Sequence, residues 1–147
     1  MSDLLLVERK KMTKNEEMEG FERFDNVTMR VGSVEDDNYI DVENLSGWKS
    51  TISDEYIFDD STDSAIRYAQ ASDTLVLRQR EKDAQFLKQA RKSLNITQQE
   101  ASKITGGGHN AFSRYENGTA KPMPAVINLF KLLSLNPDLL GELMIRN

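Results

Sequence analysis

The sequence predicts an α+β chain, a small antiparallel β unit with a helix followed by an all-α five-helix domain. Three observations carry this. Residues 21–52 alternate apolar and polar positions and are rich in aromatic and β-branched types, the pattern of half-buried strands. Residues from 83 onward repeat apolar positions at helical spacing. The charge divides at the same place: residues 1–74 carry 8 Lys/Arg against 18 Asp/Glu, and residues 75–147 carry 11 against 6. An acidic half suits a basic protein partner or a solvated face, and a basic half suits phosphate.

In chain order, residues 1–20 show no sustained period and read as a frayed tail. An acidic β-rich domain follows at 21–72. Phe21–Phe24, Val27–Val31, Tyr39–Val42 and Trp48–Ile52 read as three or four short strands, with turns at Gly32-Ser33, Glu35–Asn38 and Ser46-Gly47. Such a sheet buries little alone and needs a partner to pack on. The segment from Ser61 begins with cap-type residues and puts Ala65, Ile66, Ala69 and Tyr68 along one helical face. Residues 73–82 then serve as a linker or a helical extension.

The C-terminal domain spans 83–147. Phe86, Leu87, Ala90 and Leu94 form the inward stripe of its first helix. Thr97 followed three residues later by Glu100 is a capping box, so a second helix begins at about Gln98, and Gly106-Gly107-Gly108 ends it. A third helix starts near His109, with Ala111, Phe112 and Tyr115 turned inward. Pro124 opens a fourth, with Val126, Ile127, Phe130 and Leu133 buried, and Asn136-Pro137 opens a last one bearing Leu139, Leu140, Leu143 and Met144. Leucines of that density point to a dimer seam.

Two short helices around a glycine turn, the second polar on its outward side, form the layout of a DNA-reading helix-turn-helix. Asn110, Ser113, Arg114 and Asn117 fall at 0, +3, +4 and +7 on that side. Asparagine can bond an adenine edge bidentately and arginine a guanine edge. Asn110 and Arg114 are therefore the candidate base readers. Gln98, at a helix N-terminus, is a candidate phosphate contact, Ser113 and Asn117 are candidate phosphate or base contacts, and His109 begins the helix or touches a phosphate.

The run Leu94–Ser102, then Gly106–Gly118, then Lys121–Pro124, resembles the Xre/Cro helix-turn-helix superfamily. Within it, the triple glycine followed by Asn-Ala-Phe-Ser-Arg-Tyr-Glu is similar to the MqsA (YgiT) type antitoxins, over roughly residues 83–147. The resemblance implies operator-base contacts at Asn110 and Arg114, and a scaffolding ion pair between Arg91 and Glu116. It also implies a palindromic double-stranded operator bound by a homodimer, autoregulation of the operon, and a toxin neutralised by the N-terminal domain. MqsA-type antitoxins carry zinc there on two Cys-x-x-Cys pairs. This chain has no cysteine, so no metal or other cofactor is expected.

The residues alone also fit a stand-alone or phage-type regulator, or an interaction module whose acidic half neutralises a basic protein. An enzyme fits poorly: there is one histidine, no nucleophile with a base, and no Lys-Ser/Thr after the glycines to make a phosphate loop. No run approaches the 18 or so apolar residues of a membrane span, and Leu4–Val7 is too short for a signal segment. The protein is expected in the cytoplasm.

Overall fold

The computed structural model describes residues 18–145, so all but the last three residues of the expected 1–20 tail lie outside the described residues. Three antiparallel strands, β1 (Phe21–Ser33), β2 (Asn38–Ser50) and β3 (Tyr56–Phe58), form a sheet in the order β1-β2-β3. The two long strands replace the several short ones expected from the alternation. Irregularities in the register flank Val27, and Asn26 and Asn44 take positive φ angles of 52° and 55°. Asparagine tolerates that conformation, and such bulges let a strand continue while its alternation shifts phase.

Ser46-Gly47 is not a turn. Both residues lie inside β2, where Gly47 stands between Phe24 of β1 and Phe58 of β3. A Cβ at Gly47 would come 2.2 Å from the Ile57 carbonyl oxygen. The glycine serves close strand approach.

The inner sheet face, Val31, Val42 and Leu45, packs on Ala71 and Leu75 of helix α1 (Ser64–Ser93), with Tyr68 at the cluster's edge. The expected face of Ala65, Ile66 and Ala69 is instead exposed, Ile66 by 62%. Ser64, the first residue of the helix, accepts a 3.0 Å hydrogen bond from the Ser46 N–H and is fully buried. That anchor sets the rotation, and Tyr68, Ala71 and Leu75 follow at +4, +7 and +11 on the same side. Residues 73–82 are helical, as α1 holds no glycine or proline from end to end. The chain divides into two compact units between Leu75 and Val76, within this helix.

Beside the helix anchor, Asp59 is buried at the start of the loop after β3, its N–H donating to the Ser46 carbonyl at 2.9 Å. Its carboxylate accepts from the Ser61 N–H at 2.9 Å and the Ser61 hydroxyl at 2.6 Å, and pairs with Arg23 at 2.8 Å. The Arg23 guanidinium lies 4.6 Å over the centre of the buried Trp48 ring. Burial works to raise the Asp59 pKa, but the two Ser61 bonds and Arg23 outweigh it and hold the group below the ordinary carboxylate range. A depressed folded-state pKa stabilises above the unfolded value and is lost as pH falls through the folded one. Unfolding of the N-terminal unit, followed by Trp48 fluorescence, should therefore be insensitive to pH near neutrality. Stability should decline below about pH 4, where free aspartate protonates, and Asp59→Asn should flatten that decline.

The second unit holds the C-terminal part of α1, then α2 (Gln98–Thr105), α3 (Ala111–Glu116) and α4 (Pro124–Leu135). A 3₁₀ turn at Pro137–Leu139 leads into α5 (Leu140–Ile145). The last helix thus opens with the 3₁₀ turn, and Asn136 supplies its carbonyl, not its side chain, to the Leu139 N–H. Leu87, Ala90, Ile96, Ala101, Phe112, Val126 and Phe130 form one core, with Leu94, Tyr115 and Ile127 packed around it. Among the described residues no helix is long and apolar enough to cross a membrane.

Candidate nucleic-acid interface

The two motif helices are held by local chemistry. The Thr97 hydroxyl accepts from the Glu100 N–H at 3.1 Å while the Glu100 carboxylate accepts from the Thr97 N–H at 2.9 Å, which completes the capping box. At the other end Gly106 takes a left-handed φ of 71° and returns its N–H to Ser102 and Lys103 carbonyls. Gly107 is needed for a different reason, since a Cβ there would press within 2.9 Å of the Ala111 methyl.

Helix α3 begins two residues later than its expected start near His109. Gly108, at φ 83°, and His109 form the turn, Asn110 takes the position before the helix, and the Ala111 N–H donates to the Gly108 carbonyl at 3.2 Å. The helix has six residues, too few to persist alone. Its inward side is fixed by Phe112, fully buried with its ring centre 4.9 Å from that of Phe130. A contact that the sequence did not reveal ties the two helices together: the buried Ser102 hydroxyl accepts from the Phe112 N–H at 3.1 Å. The only hint was a small polar residue beside Ala101 on the inward side of α2.

On the other side His109, Asn110, Ser113, Arg114 and Asn117 are all exposed. Asn110 makes no cap bond with its side chain, so its amide is free to meet a base edge, as is the Arg114 guanidinium one turn on. Asn117 is half committed. Its side-chain oxygen accepts from the Thr119 N–H at 3.0 Å and hydroxyl at 2.7 Å, which leaves its amide hydrogens as donors.

Gln98 stands apart from this group. Its side-chain amide donates to Glu116 rather than pointing freely toward a phosphate. Glu116 also accepts from Arg91 Nε at 2.7 Å, and Arg91 Nη1 donates to the Ile96 carbonyl at 2.9 Å. The pair expected between α1 and the end of α3 is thus present, with Gln98 as a third member. Together they lock the C-terminal end of α3 to the last turn of α1 and the first residue of α2.

The zinc that the resemblance implies does not fit this chain. There is no cysteine, and among the described residues no group of three or more His, Cys, Asp or Glu side chains could hold a metal ion. The N-terminal unit instead closes on the Arg23, Trp48 and Asp59 cluster.

The family model described as the antitoxin component of bacterial toxin-antitoxin system, MqsA, matches residues 40–144, well over half of the chain. The chain belongs to the MqsA antitoxin family. The match takes in most of β2 and all of β3 as well as the helices, so MqsA membership does not rest on the helix-turn-helix alone. Antitoxin MqsA of Escherichia coli (strain K12) is 52% identical over 59 residues, which is 40% of this chain and 45% of that protein. The chain therefore matches less than half the length of this MqsA relative.

Proposed function

We propose that the protein is the antitoxin of a toxin–antitoxin pair that represses its own operon in the cytoplasm by binding a palindromic operator as a homodimer. The observation that carries DNA reading is the exposed pair of Asn110, at the position before a short helix, and Arg114 within it, a helix whose opposite side is fixed by Phe112 and whose end is locked by Arg91 and Glu116. Two such helices related by a two-fold axis enter successive major grooves ~34 Å apart, or a multiple of that. Exposed Leu132, Leu135, Leu139 and Met144 near the C-terminus support self-association, since an apolar surface of this kind favours a partner.

Asn110 and Arg114 read base edges, and His109, Ser113 and the Asn117 amide contact the backbone or neighbouring bases. Gln98 supports Glu116 and offers the N-terminal N–H groups of α2 to a phosphate. A gel shift on DNA from upstream of the gene tests this reading. Arg114→Ala should weaken operator binding by about 1–3 kcal/mol, roughly five- to 150-fold, and relax preference at one base pair per half-site while leaving the melting temperature unchanged. Absence of a salt-sensitive, palindrome-dependent shift with the unaltered protein would sink the repressor reading.

The N-terminal half, with a charge balance opposite in sign to the C-terminal half, supplies the surface for a toxin. Induction of the adjacent reading frame should arrest growth, and co-expression of the full chain should restore colonies. An Arg114→Ala chain should rescue as well as the unaltered one, because neutralisation does not pass through the base-reading face.

A further inference from the structure

We infer that a cavity beside the glycine turn is a phosphate-binding site with Lys103 as its charged ligand, and that it seats a backbone phosphate of the bound DNA. The source of that phosphate rests on the DNA-binding reading above. The cavity, of about 320 Å³, is lined by Gln99, Ser102, Lys103, Gly106, Gly108 and His109. No lining residue is acidic. Glu100, the one carboxylate of α2, is turned to the Thr97 N–H.

The lining is rich in unused donors. The Lys103 ammonium, the Gln99 amide and the His109 ring make no hydrogen bond or ion pair among the described residues. A Cβ at Gly106 or Gly108 would meet nothing within 4 Å, so open space lies over the turn, although the Gly106 N–H is itself spent on the Ser102 and Lys103 carbonyls. The glycine run lacks the following lysine of a phosphate loop, but here a lysine arrives from the helix before it, three residues ahead of Gly106. Lysine binds phosphate as a point charge and needs no fixed fork geometry.

The cavity also lies where a phosphate is expected. Gly108 and His109 directly precede Asn110 and α3. A recognition helix enters the major groove, ~12 Å wide, by its N-terminal part, so the turn just before it comes up against the phosphates at the groove's rim. A phosphate contact holds the helix in register and carries no base information. Lys103 and Gln99 thereby join the interface as positioning residues, beyond the base readers.

The test measures operator and scrambled-duplex affinity of the full chain against salt, for the unaltered protein and Lys103→Gln. Lys103 is exposed, and an unchanged melting temperature confirms the fold. Lys103→Gln should weaken both duplexes several-fold and reduce the slope of log affinity against log salt by about one, unlike Arg114→Ala, which acts on sequence preference. Operator binding with an unchanged slope in Lys103→Gln overturns the site and leaves the repressor reading standing. If the unaltered protein binds no operator, DNA is excluded as the source, and titration with inorganic phosphate against chloride of equal ionic strength decides the rest. Amide NMR shifts at Gly106, Gly108 and His109 that vanish in Lys103→Gln identify a site for free phosphate, and absence of such shifts overturns the phosphate site itself.

Discussion

Arg91→Ala should cost the C-terminal unit about 3–5 kcal/mol, the typical penalty for leaving one member of a buried ion pair without its partner. The Glu116 side chain is only 4% exposed and lies 2.7 Å from Arg91 Nε, so the substitution strands a carboxylate that water barely reaches. Gln98 remains as a neutral donor, and the Ile96 carbonyl loses the guanidinium that bonded it. Since burying both charges is itself costly, a double Arg91→Met, Glu116→Leu chain should recover most of the loss. Urea unfolding followed by far-ultraviolet circular dichroism gives the stabilities, and binding measured at equal folded fraction gives the rest. A scaffold pair predicts that operator affinity per folded molecule falls far less than stability. Lost binding with stability intact would instead place Arg91 at the DNA.

The parts of this fold that were legible in the sequence are those decided within one turn of helix. Thr97 with Glu100, Gly106 and Pro124 mark helix ends because the groups they satisfy lie within a few residues. Readings failed where a residue distant in sequence made the decision. Ser46-Gly47 has the composition of a turn, yet the strand that needs Gly47's missing side chain begins only at Tyr56. Several faces of α1 satisfy a helical period, and the choice falls to a hydrogen bond from Ser46 to Ser64 that no spacing rule reports. The candidate site divides in the same way. The outward set from Asn110 to Asn117 follows from helical geometry alone, whereas the commitment of Gln98 to Glu116 and of Ser102 to Phe112 depends on how the helices meet. Asn26 and Asn44 were visible as residues but not as bulges, because their conformation matters only once two strands pair.

Phe112→Ala tests how far the proposed base readers, Asn110 and Arg114, depend on the core behind them. Removing a fully buried phenylalanine side chain costs about 3–5 kcal/mol, as transfer energy and the cavity left behind add. Here the ring centre lies 4.9 Å from that of Phe130 and 5.8 Å from that of Tyr115, so the loss falls on the contacts that join α3 to α4 and stiffen α3 itself. Six residues cannot hold a helix without such contacts. Binding should therefore vanish at temperatures where Arg114→Ala still folds fully and binds weakly. Phe112→Leu separates packing from the ring: it fills most of the cavity, should recover well over half of the lost stability, and should bring operator binding back with it. Full stability in Phe112→Leu without DNA binding would show that the orientation of Asn110 and Arg114 depends on the aromatic contact with Phe130 specifically, and the register of α3 would then be set by ring geometry rather than by burial.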